Sequence, residues 1–76
     1  MDKVGKVGWK RFEKFLFKIG CEFKGQTGSH RKYKKPDIQR PIIVPCDDNL
    51  PQFIILNNLR TLGIPKRVYA EMIKRL

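Results

Sequence analysis

Six glycines and five prolines punctuate this 76-residue chain, and their spacing limits what it can fold into. Gly20, the pair Gly25 and Gly28, Pro36, the pair Pro41 and Pro45, Pro51, and Gly63 with Pro65 leave no stretch longer than about three helical turns. Between these marks the apolar pattern changes period. Over 9–19, Trp9, Phe12, Leu16 and Ile19 recur at helical spacing and Phe15 widens the stripe, with Gly20 as the stop. Phe17 falls off that stripe. Before the helix, Val4 to Gly8 reads as a loose lead-in.

Residues 21–24 then alternate, with Cys21 and Phe23 pointing one way and Glu22 and Lys24 the other, the pattern of a half-buried strand. Gly25 and Gly28 bracket Gln26-Thr27, which supplies a short hairpin loop or a bulge. A second strand is expected over 29–35, and its only apolar residue is Tyr33. If Tyr33 faces the core, a period of two puts His30, Lys32 and Lys34 together on the open face. Pro36-Asp37 marks a turn. A third strand over 40–44 directs Ile42 and Val44 inward and Ile43 outward, and Pro41 and Pro45 confine it to a short or edge position.

Asp47, Asp48 and Asn49 are read as helix-start residues ahead of Pro51. The helix expected over 51–62 packs through Phe53 or Ile55 together with Leu56, Leu59 and Leu62. A last helix over 65–75 buries Val68, Tyr69, Met72, Ile73 and Leu76. The sum is one α+β domain over 1–76, in the order α-β-β-β-α-α, with a three-stranded antiparallel sheet carrying its helices on one face.

Charge narrows the choice of partner. The chain carries +10, of which residues 1–40 supply a net +8, from 12 Lys and Arg against 4 acids. Such a field favours a polyanion, above all a nucleic acid. No apolar run approaches the ~20 residues of a membrane span. Met1 to Lys6 contains no apolar leader, so a cytoplasmic location is the expectation. Cys21 and Cys46, with one histidine in the chain, give neither a disulfide framework nor a zinc spacing, and no metal or cofactor is expected.

The stretch from Gly25 to Tyr33 concentrates the chemistry. It holds the only histidine, His30, after a serine and a glycine turn, with Arg31, Lys32, Lys34 and Lys35 crowding downstream. Histidine changes charge near neutral pH, and among fixed cations it suits work on a phosphate diester. The same nine residues also read as a polar hairpin tip with a solvated histidine.

The glycine-stopped helix, the Gly28-Ser29-His30 hairpin, the Val44-Pro45 strand end and the Leu56-x-x-Leu59-x-x-Leu62-Gly63-Ile64 helix together resemble the HicA toxin family of toxin–antitoxin pairs. The resemblance spans roughly 9–76. It implies a double-stranded-RNA-binding-domain-like fold, a ribonuclease that cleaves messenger RNA, and a HicB-type antitoxin that holds it inactive. It also implies that His30 is the catalytic residue, flanked by Gly28 and Ser29. Lys32, often apolar in relatives, and Cys46 after the Val-Pro pair depart from the family pattern. RNA contacts are expected from Lys24, Gly28, Ser29, Arg31, Lys32 and Lys34. Two other readings remain open at this point. One is a non-catalytic double-stranded-RNA-binding module. The other is a DNA-binding module on the helical segment 59–73, where Arg60, Lys66 and Arg67, with Lys74 and Arg75 just beyond, leave most of the charge elsewhere.

Overall fold

The computed structural model describes residues 6–76. Its elements are α1 (Trp9–Lys18), β1 (Glu22–Thr27), β2 (His30–Lys34), β3 (Ile42–Pro45), α2 (Gln52–Leu62) and α3 (Lys66–Lys74). The strands form one antiparallel sheet in the order β1-β2-β3, so β2 is central and both others are edges. This is the α-β-β-β-α-α arrangement expected from the punctuation, with β3 both short and at an edge.

One face of the sheet is covered. Tyr33, Ile42 and Val44 are fully buried there, against Phe12, Phe15 and Leu16 of α1, Ile55 and Leu59 of α2, and Tyr69 of α3. Aromatic rings dominate the centre. Phe15 and Tyr69 meet edge to face at 4.8 Å, and Phe12 lies 5.7 and 5.8 Å from those two rings. α1 and α2 close in the same way: Gly20 N and Cys21 N donate to Phe17 O and Leu16 O, while Gly63 N and Ile64 N donate to Arg60 O and Leu59 O. Two further ties hold the helices in place. Arg11 Nη2 donates to Ile73 O near the end of α3 at 2.7 Å, and Asn58 Nδ2 donates to Ile43 O on β3 at 3.1 Å.

Several side chains depart from the sequence reading, each for a non-local reason. Val7 and Gly8 are pinned rather than loose: Leu50 N donates to Val7 O at 2.8 Å, and Trp9 N donates to Asp47 O at 2.9 Å. A Cβ on Gly8 would stand 2.8 Å from Asp48 O, so only glycine fits without shifting the backbone. Val4 and Gly5 lie outside the described residues. Asp47 and Asp48 therefore run past the start of α1. The N-cap of α2 is Pro51, which offers no side-chain cap. Among the alternatives on α2, Ile55 is buried and Phe53 is 63% exposed. Val68 and Leu76, expected inside, are exposed, because α3 buries only a narrow stripe centred on Tyr69 and Ile73. Phe23 does point to the helix side, opposite Tyr33, yet edge strand β1 leaves it 41% exposed. Phe17 packs edge-on against Tyr33 at 6.0 Å from the α1 side.

The Tyr69 hydroxyl is buried with no hydrogen-bond partner among the described residues. Burial pushes the phenols of Tyr69 and Tyr33 up to about 12, from an ordinary 10. Folded, both hold their protons more tightly than the unfolded chain does, so raising the pH above 10 ionises the unfolded state first and erodes stability towards 12. Tyr69→Phe removes an unsatisfied group. It is expected to leave stability at pH 7 unchanged or slightly raised, and to shrink the alkaline loss. Urea denaturation at pH 7 and at pH 11 checks both; a drop above ~1 kcal/mol at pH 7 would mean that the hydroxyl has a partner.

Candidate functional site

β1 and β2 are joined by a two-residue loop, Gly28-Ser29, and Thr27 pairs with His30 across it. The sequence allowed the loop at Gln26-Thr27. Those residues instead pair regularly and extend β1, and the irregularity of the ladder lies before them, between Phe23 and Gly25. Gly28 has φ +58, in the left-handed region that favours glycine, and among the described residues no non-glycine residue takes a positive φ. The loop is held from both sides. Gln26 Nε2 donates to Gly28 O at 2.8 Å, and Cys46 N donates to Ser29 O at 2.7 Å, extending the ladder beyond Pro45.

His30 opens β2 at this fixed tip, opposite Thr27 on β1 and Pro45 on β3. Its side chain is exposed and, among the described residues, has no hydrogen-bond or ion-pair partner. Lys32 follows two residues on, ~7 Å further along the same face, between Gly25 on one side and exposed Ile43 on the other. Lys34 comes next, opposite Glu22. The covered positions of β2 and β3 are Tyr33, Ile42 and Val44, so His30, Lys32 and Lys34 share the uncovered face, as period-two alternation around Tyr33 requires.

Arg31 stands on the opposite side. Its Nη2 donates to Glu13 Oε2 of α1 at 2.8 Å, its Nε to the Tyr33 hydroxyl at 3.0 Å, and its Nη1 to Gln26 Oε1 at 2.8 Å. The guanidinium also lies over two rings, 4.8 Å from Trp9 and 4.1 Å from Phe23. The Tyr33 hydroxyl donates to the same Glu13 oxygen. The ion pair is largely closed to water, with side-chain exposures of 19% and 18%. Gln26 thus links two contacts, Arg31 beneath the sheet and Gly28 in the loop, so α1 braces the tip that carries His30.

The remaining residues singled out in the sequence fall near this centre. Lys24 sits at the β1 irregularity, paired with Glu22 at 3.2 Å, with both side chains well exposed. Gly28 and Ser29 shape the loop through backbone contacts. The network of Glu13, Gln26, Arg31 and Tyr33 is absent from the sequence reading, although one signal was present. The alternation that places Tyr33 inside also places Arg31 inside. Among the described residues, no three His, Cys, Asp or Glu side chains converge as metal ligands. No helix there is long and apolar enough to cross a membrane.

The molecule is therefore a small, strongly basic α+β domain that presents one unpartnered histidine at the tip of an open, lysine-bearing sheet. Residues 9–64 match the family model described as the HicA toxin of bacterial toxin–antitoxin systems. The chain belongs to that family, and its role is that of the toxin in a pair with an antitoxin. No curated protein and no solved structure matches it.

Proposed function

We propose that this protein is a metal-independent endoribonuclease that cuts messenger RNA, with His30 as its general acid or base. The observation that carries the reading is the exposure of a lone histidine, its side chain free of partners among the described residues, on a fixed hairpin tip beside Lys32 and Lys34. RNA contains its own nucleophile. As the 2′-oxygen bonds to the adjacent phosphorus, its proton must leave, and as the 5′-oxygen departs it must gain one. A single positioned imidazole serves one of these transfers, typically worth ~10²–10⁴-fold. Lys32, next to His30 on the open face, offsets the charge that builds on the transferring group, and Lys24 and Lys34 hold phosphates further along the strand. Ser29 and Gly28 shape the approach, and Ser29 has no acid–histidine relay to make it a nucleophile. Arg31, engaged by Glu13, acts as a brace for this tip.

Purified protein is expected to cut a long single-stranded RNA with undiminished rate in EDTA. A single 2′-deoxy substitution at a mapped cut should abolish cutting there. Loss of activity on chelation, restored by one metal, would overturn metal independence. Binding of RNA without any cutting would leave a non-catalytic RNA-binding module.

The antitoxin partner is proposed to be of HicB type and to cover His30 and its lysines in the cytoplasm, where messenger RNA is found. Groups that attract phosphate also attract carboxylate. Lys32→Glu with Lys34→Glu is expected to weaken RNA binding and to slow antitoxin capture together, as stopped-flow association at low salt would show. An unchanged capture rate beside lost RNA binding would place inhibition on another surface.

A further inference from the structure

At the end of the open face away from His30, the chain forms a depression of about 230 Å³ lined by Glu22, Lys24, Lys34, Lys35, Pro36 and Ile38. Three lysines line it against one carboxylate. Lys24 is paired with Glu22 at 3.2 Å and Lys35 with Asp37 at 2.6 Å, while Lys34 has no ion pair among the described residues. The carboxylates of both pairs are well exposed, at 65% and 68%. Exposed pairs of this sort contribute little and yield to a competing anion.

We propose that this depression is a phosphate subsite for the RNA strand cut at His30, gripping the backbone at a distance from the scissile bond. The inference rests on the ribonuclease reading above. Two features favour a nucleic-acid strand. Lys34 of the lining shares the open face of β2 with His30: it is four residues away along the strand, ~13 Å at ~3.3 Å per residue, with Lys32 between them, while Lys35, Pro36 and Ile38 belong to the segment just beyond the strand. Charges along one stacked nucleic-acid strand repeat every ~3.4 Å of axis, so this span covers about four nucleotides, fewer if the strand is stretched. The lining is also built for a small anion. Pro36 and Ile38 close one side with apolar surface, and the charge comes from flexible ammonium groups that can converge on a tetrahedral phosphate.

The test uses single-stranded oligoribonucleotides of increasing length, from a dinucleotide upward. Binding is measured by fluorescence anisotropy on full-length His30→Ala protein, so that the RNA stays whole. Affinity is expected to step up on the order of tenfold at 0.1 M salt once the strand spans from the tip to the depression. In the same protein carrying Lys34→Gln and Lys35→Gln, the ratio of long to short affinities should fall towards one, and the salt dependence for long strands should flatten by about 1.4 in log–log slope. Circular dichroism checks the fold. If the double substitution unfolds the domain, Lys34→Gln alone carries the test with half the slope change. A ratio that the substitutions leave untouched overturns the subsite. Failure of the wild-type protein to cut the longest strand, with the length step intact, sinks the ribonuclease reading while the subsite stands.

Discussion

Glu13→Ala is expected to cost roughly 2–4 kcal/mol of folding stability, read as a fall in the urea midpoint and a drop of ~10–20 °C in Tm. A domain of this length has a total stability of only roughly 4–11 kcal/mol, so the loss is a large fraction of it. The effect comes from what the substitution leaves behind. Glu13 Oε2 accepts from Arg31 Nε, Arg31 Nη2 and the Tyr33 hydroxyl, and both partners are held in place by the Trp9 and Phe23 rings and by the core. Alanine leaves a largely buried cation without its carboxylate and the buried Tyr33 O–H without its acceptor. Glu13→Gln keeps an acceptor and should cost clearly less. A loss below ~1 kcal/mol for Glu13→Ala would show that Arg31 finds water as readily as it found the carboxylate.

Much of this architecture can be traced to short-range sequence features. Tyr33, as the only apolar residue of its strand, sets the parity of β2 and puts His30, Lys32 and Lys34 on the open side. Pro41 and Pro45 mark the edge strand, and Gly20 and Gly63 mark the helix ends. What escaped the reading depends on contacts between distant segments. The backbone at Asp47 and Asp48 meets the start of α1, and no local pattern tells that these acids pass one helix rather than cap the next. Phe53 and Ile55 lie on different sides of α2, and only the docking of that helix against β3 and α3 decides which is buried. Arg31 looked like one more cation in a basic run. Its role depends on Glu13, 18 residues away on α1, which no periodicity links to it.

His30→Ala should abolish RNA cutting and growth arrest while leaving the fold intact. The side chain is exposed, carries no hydrogen bond to another described residue, and starts a strand whose register is held by the Ser29–Cys46 and Gln26–Gly28 contacts rather than by the imidazole. Its loss therefore removes little buried area and strands no side-chain partner among the described residues, so a fall in activity reports chemistry rather than unfolding. Binding of RNA should survive, because Lys24, Lys32 and Lys34 remain. The measurement that bears most directly on the account is the cutting rate of wild type and His30→Ala on one long single-stranded RNA in EDTA, with circular dichroism and RNA affinity recorded on the same samples. A folded, RNA-binding variant whose rate falls at least ~10²-fold is the predicted result; a folded variant that cuts at the wild-type rate would contradict it.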